Sequence, residues 1–190
     1  MAFFTKSEAR AAAGRVRGFR SNSAVLKESM ESYKETERFD IFLSHSSDDS
    51  ELVLGVKTLL EEEGLKVYVD WIVDSQLDRA AVNKETAAIL RSRMKASSSM
   101  IYMATNNSTN SKWMPWELGF FDGYKPGQVA VLPLLDHEND SFNGQEYLGL
   151  YPVVTKNTKD RVTYHFVEDR GSKWSNFSKF ASGAPEWKKY

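Results

Sequence analysis

The 190-residue chain contains no cysteine. That excludes disulfides, a thiol nucleophile and thiolate metal sites, and it fits a reducing compartment, so the expected location is cytoplasmic. Histidine is scarce: His45, His137 and His165 are the three present, far apart and none in a ligand pair, so no metal site is expected. Charge is nearly balanced, with 25 Lys and Arg against 26 Asp and Glu. No global positive excess marks a nucleic-acid binder. No apolar run approaches the ~20 residues needed to span a bilayer, so a membrane is not expected as a partner either. The common nucleotide and hydrolase fingerprints are missing too: there is no G-x-x-x-x-G-K-[ST], no G-x-G-x-x-G and no G-x-S-x-G. A phosphate would have to be held by Ser and Thr hydroxyls and by backbone N–H groups at helix starts.

What is present is a globular composition. Apolar residues make up 41% and aromatics 13%, enough for a packed core in one domain of ordinary size. Residues 1–37 read as one or two polar helices. Lys6, Arg10, Arg15, Arg17 and Arg20 stand there against Glu8 alone up to residue 20. An Arg-rich, acid-poor start is compatible with an organelle transit peptide. We read it as a basic helical extension that packs on the domain or on a partner copy, with the main domain running over 38–155. Residues 156–190 would complete or extend that domain.

From Phe39 the pattern alternates. Phe39–Ser44 is a short apolar run ending in polar residues, a buried-strand signal. Residues 49–63 follow at helical spacing and stop at Gly64. Lys66–Trp71 reads as a second strand. A helix near 83–96 would turn Ala87, Ile89, Leu90 and Met94 inward. Ser99–Ala104 and Val129–Leu134 read as further strands, separated by a helix from about Trp113. Two short edge strands follow residue 150, and a last helix would bury Trp174, Phe177, Phe180 and Ala181. Strict strand–helix alternation predicts an α/β fold, a three-layer sandwich with a mostly parallel central sheet.

In such a sheet, ligands bind beyond the carboxyl ends of the strands. Four loops qualify: Ser44–Asp49, Trp71–Val82, Thr105–Lys112 and the one after Leu135. The third leads into Trp113 and Glu117. Residues four apart share a helix face, so an indole and a carboxylate would project to one side. A stacking surface beside one acid suits a nucleotide whose glycosidic bond is to be broken. The plainer alternative is an amphipathic helix with two Trp in the core and a solvated Glu. Asp48–Asp49 reads most simply as a helix cap in the favourable field of a helix start. A lone loop histidine such as His45 reads first as solvated or capping. Asp70, Asp74 and Asp78 read either as an acidic rim around Trp71 or as ordinary loop acids.

Three segments in order then carry a specific likeness. Phe39-Asp40-Ile41-Phe42-Leu43-Ser44-His45-Ser46, Val67-Tyr68-Val69-Asp70 and Ser111-Lys112-Trp113-Met114-Pro115-Trp116-Glu117-Leu118 resemble the boxes of Toll/interleukin-1 receptor (TIR) domains. The last resembles the S-x-W-x-x-x-E-L motif of members that consume NAD+. The resemblance implies a flavodoxin-like sandwich and cleavage of the nicotinamide–ribose bond, with NAD+ as substrate and no cofactor. It makes Glu117 the catalytic carboxylate, ionised near its helix start, and Trp113 a stacking surface. It places Phe42, Leu43, Ser44 and His45 along the ribose and phosphates, with Trp71 as the opposite wall; Ser111 reads as a helix cap and not as a ligand. Nicotinamide leaves a cationic pyridinium as a neutral base, so the second carboxylate of ordinary glycosidases is not needed. The loop after Trp71 lacks the proline-glycine signature of receptor-type members, which argues against adaptor signalling. A short stand-alone protein of this kind is similar to those of bacterial anti-phage systems such as Thoeris. Self-association through TIR–TIR contacts and a separate effector that reads the product are the implied partners. Two other classes stay open on sequence: a non-catalytic homotypic interaction module, and a nucleoside deoxyribosyltransferase-like enzyme.

Overall fold

A computed structural model describes residues 2–34, 36–71, 84–169 and 171–190. The predicted alternation is present. In chain order the elements are β1 (Phe4–Thr5), α1 (Lys6–Arg17), α2 (Asn22–Glu31), β2 (Phe39–Ser44), α3 (Ser50–Glu62), β3 (Val67–Val69), α4 (Lys84–Ala96), β4 (Ser97–Ala104) and α5 (Trp113–Tyr124). They continue with β5 (Val129–Leu135), β6 (Val153–Lys159), β7 (Val162–Asp169), β8 (Lys173–Asn176), α6 (Phe177–Ala181) and β9 (Lys188–Lys189). Among the described residues one sheet runs β3-β2-β4-β5-β6-β7-β8-β9, with β1 added beside β5. The pairs from β3 to β6 are parallel, and β6 to β9 form an antiparallel meander.

The strands bury both faces, and their period of two sorts the core into two layers. Ile41, Leu43, Val67, Val69, Ile101 and Met103 pack towards α1, α3 and α6. Phe42, Tyr68, Met100, Tyr102 and Val131 pack towards α4 and α5. The order reverses direction between β2 and β4, so their carboxyl ends diverge to either side of a crevice.

The first residues are built into this core. Ala9, Ala12 and Ala13 of α1 are buried, and a Cβ on Gly55 of α3 would lie 1.8 Å from the Ala9 carbonyl oxygen. Two helices meet there with almost nothing between their backbones, which only small residues allow. Phe4 and Thr5 pair in parallel with Leu134 and Leu135. The Thr5 hydroxyl and the Glu8 carboxylate form a reciprocal capping box at the start of α1.

Two packing expectations need correction. Ile89 is 58% exposed, because α4 turns Ala87, Leu90 and Met94 inward instead. Trp174 lies in β8 and not in the last helix, which is five residues long, and its ring meets Phe166 edge-on across the meander.

Candidate active site

Glu117 sits in α5, where the sequence placed it, but its environment inverts the plainer alternative. The carboxylate is 5% exposed, while Trp113 and Trp116 are only half-buried. Ser44, the last residue of β2, donates a hydrogen bond from its hydroxyl to Glu117 Oε2 at 2.5 Å, inside the fold. A hydroxyl aimed at a carboxylate is a charge-assisted bond, about twice as strong as a neutral one. Ser44 pairs with Tyr102 across β2 and β4, so the acid stands over the crevice where the strand order reverses. Burial pushes the phenol of Tyr102 well above the ordinary tyrosine value, and the nearby Glu117 charge adds to it. Burial does the same to Tyr68.

Local geometry explains how α5 begins here. The Ser111 hydroxyl accepts from the Met114 N–H at 3.3 Å, the capping role expected of it. Pro115 occupies the first turn, where its missing N–H has no partner to lose. Glu117 opens the second turn, and the first turn of α5 holds no acid. The field of a helix start fades within one turn, so the helix end supports the charge less than its nominal place suggested. The direct bond from Ser44 takes that part.

The other predicted residues divide between the two faces of the sheet. Phe42 is fully buried on the side of Glu117 and stacks on Tyr68 at 5.4 Å, which leaves its ring no surface for a ligand. Leu43 faces the opposite layer, towards α3, as strand alternation demands. His45 and Trp71 lie on that same side. Their rings stack at 5.5 Å with 22° between planes, and His45 Nδ1 is 3.1 Å from the Ser46 carbonyl oxygen. Trp113 stays with Glu117, one turn earlier on the helix, and meets Trp116 edge-on at 5.4 Å. Trp116 continues through Phe120 to Tyr124 as a stacked ladder, with the Arg91 guanidinium over its first two rings. The structure thus bonds Ser44 to Glu117, keeps Trp113 one turn earlier on the same helix, and stacks His45 on Trp71 on the other side of the sheet. Asp74 and Asp78, with the loop that carries them, lie outside the described residues.

Asp49 has a different role from the one expected. It precedes α3, yet its side chain makes no cap bond. Its buried carboxylate accepts from Thr105 Oγ1 at 2.5 Å and from Asn107 Nδ2 at 2.6 Å. The loop after β2 is thereby clasped to the loop after β4 that launches α5. Ser46 supplies the cap at this turn, its hydroxyl accepting from the Asp48 N–H. Sequence reasoning also passed over Tyr102, Gln145 and Tyr147. Both phenols donate to Gln145 Oε1, Tyr102 at 3.5 Å. Tyr147 is a near neighbour of Gln145 in the chain, whereas no spacing rule links Tyr102 to it; the fold alone joins those two.

The model of the family described as TIR domain matches residues 41–165, more than half of the chain. A Bacillus cereus (strain MSX-D12) protein named "Probable 3' cyclic ADP-D-ribose synthase ThsB'" is 53% identical over 135 residues, covering 70% of this chain and 69% of that protein. A Cytobacillus dafuensis protein, provisionally named cyclic ADP-D-ribose synthase TIR2, is 31% identical over 83 residues. That second match covers 43% of this chain and 22% of the relative. The family match sets aside the deoxyribosyltransferase-like alternative. With its parallel sheet and its segment from Phe39 to Ser46 forming the strand that bonds Glu117, the chain belongs to the TIR domain family.

Proposed function

We propose that this protein cleaves the nicotinamide–ribose bond of NAD+ and closes the remaining ADP-ribose into a cyclic signalling nucleotide. The observation that supports it most is the buried Glu117 carboxylate, held by Ser44 at the sheet edge beside Trp113. The names of both relatives, cyclic ADP-D-ribose synthases, point the same way.

The chemistry follows from the charges. As the C–N bond breaks, its electron pair leaves with nicotinamide and positive charge develops on the ribose. An anionic carboxylate pre-set against that carbon stabilises the charge without reorganising, where little water screens it. Trp113 offers a flat face to a ring of the substrate, and the stacked His45–Trp71 pair follows the ends of β2 and β3, where it would border the phosphates. An internal hydroxyl then bonds to the anomeric carbon and releases a proton. Shielding of Glu117 from solvent favours that closure over attack by water, which would yield linear ADP-ribose.

The protein acts in the cytoplasm as part of anti-phage defence, assembled through TIR–TIR contacts, and a separate effector reads the product. Among the described residues no helix is long and apolar enough to cross a membrane.

The test is to incubate the purified chain with NAD+, over a range of protein concentrations, and identify the released nucleotides by mass spectrometry. Nicotinamide and a cyclic ADP-ribose are expected. Glu117→Gln should lower the rate by about 10²–10³-fold or more, the usual loss when one electrostatic stabiliser is removed. Full turnover by a folded Glu117→Gln chain would exclude Glu117 from the mechanism, and a wild-type chain inert at every concentration would favour a non-catalytic interaction module.

A further inference from the structure

Beyond the carboxyl ends of β4 and β5, the structure holds a cleft of about 420 Å³ between the loops that follow those strands. That volume falls in the range of small-molecule sites, ~300–1,000 Å³. Its chemistry is unlike that of the rest of the crevice. Among the described residues, no lysine, arginine, aspartate or glutamate lines it. The rim is hydroxyl and amide, with Thr105, Asn106, Asn143 and Gln145 among it, and Leu134 and Leu148 form an apolar floor. Phe142 closes one side, resting against Gly144 so closely that a Cβ there would lie 2.5 Å from its ring. The Gln145 amide is held in one sense: its oxygen takes both tyrosine hydroxyls, which leaves the amide N–H pair as donors. An aromatic wall, an apolar floor and a neutral rim of donors and acceptors suit a purine nucleoside. They suit a phosphate or a charged peptide poorly.

Position supplies the rest. Neighbouring strands lie about 4.8 Å apart, so the carboxyl ends of β4 and β5 are roughly 5 and 10 Å from Ser44. A dinucleotide with its reacting ribose at Glu117 and its other half in this cleft is folded back on itself and not extended. We propose that the cleft seats the adenosine half of NAD+, and that this seating brings a hydroxyl of that half to the anomeric carbon. The carbon–nitrogen bond breaks and nicotinamide takes its electron pair; the oxygen–carbon bond then forms at the anomeric carbon and the hydroxyl proton is released. The second statement rests on the activity proposed above; the first does not.

The experiment separates them. Binding of adenosine alone to the full chain is measured by calorimetry or NMR for wild type, Asn143→Trp and Gln145→Ala. Asn143 is exposed, so Trp fills the cleft from its rim, and Gln145→Ala guards against misfolding of the first variant. Wild type should bind adenosine, with at least tenfold weaker binding in Asn143→Trp and a smaller loss in Gln145→Ala. With NAD+, Asn143→Trp should raise KM about tenfold and shift the product from cyclic towards linear ADP-ribose, which is heavier by one water. Absence of adenosine binding, or binding that neither variant weakens, overturns the site. An unchanged cyclic-to-linear ratio in a variant that has lost adenosine binding overturns the folding-back. If wild type fails to consume NAD+ yet Asn143→Trp abolishes adenosine binding, the proposed activity falls and the adenosine site stands.

Discussion

Ser44→Ala tests the central contact at its source. The hydroxyl removed is 1% exposed, and the carboxylate it serves is 5% exposed. Its bond to Glu117 Oε2 is 2.5 Å long and charge-assisted. Hydrogen bonds to charged groups contribute about 1.5–3 kcal/mol, and Ser44→Ala removes one such bond from a buried carboxylate. Ser44→Ala should therefore destabilise the wild-type background by about 2 kcal/mol, or a fall in Tm of roughly 4–8 °C for a domain of this size. In a Glu117→Gln background the acceptor is a neutral amide, and the same substitution should cost less than about 1 kcal/mol. Glu117→Gln by itself should be neutral or stabilising, since it removes a charge from a buried position. The assay is denaturant unfolding of the four proteins of the double-mutant cycle, at one pH and without ligand. Equal losses from Ser44→Ala in both backgrounds would show that the serine packs and does not hold the acid, and the account of the site would fail with it.

Three further outcomes are expected. Gly55→Ala should destabilise by about 1–3 kcal/mol or more, because its Cβ would overlap the Ala9 backbone and drive α1 off α3; proteolysis near residue 20 would report the detachment, and an unaltered Tm would refute the close approach. Burial tends to raise the Glu8 carboxyl, but bonds from Lys156 and Thr5 overcome that and hold it below its ordinary value. Its folded value lies below the unfolded one, so the contribution to stability is present above the unfolded value, near pH 4.5, and is lost as pH falls through the folded one; Glu8→Gln should flatten acid unfolding in that window, and superimposable acid transitions would refute it. Asp49→Ala should lower kcat more than it raises KM, with Asp49→Asn recovering part of the loss through its remaining oxygen, since the clasp orients the start of α5 and does not touch substrate; equal rates in all three proteins would remove the clasp from the catalytic account.

Much of the fold was legible because local patterns and tertiary demands agree. Runs such as Val129–Leu134 need burial on both faces, and the sheet provides it. The helix carrying Trp113 and Glu117 was readable from Pro115 and Ser111, which fit a helix start and little else. What stayed hidden depended on partners distant in sequence. The polar composition of residues 1–37 concealed a core contribution made by alanines, whose worth lies in letting backbones approach. Asp49 read as a cap because its bonding partners lie more than fifty residues later. The separation of Leu43 from Ser44 was available in principle: strand alternation puts neighbours on opposite faces, while a motif read as a string does not.

The earliest residues also reach the ligand edge. Ala2 exchanges two backbone hydrogen bonds with Lys156, and the Phe3 N–H donates to the Glu138 carbonyl at the root of the loop bearing Phe142 and Gln145. Whatever is fused to or trimmed from that end pulls on a wall of the cleft between the β4 and β5 loops, some 140 positions downstream. An affinity tag placed there for convenience becomes a variable in every kinetic measurement, whereas the exposed carboxyl-terminal Tyr190, on the far rim of the meander, is the neutral place to attach one.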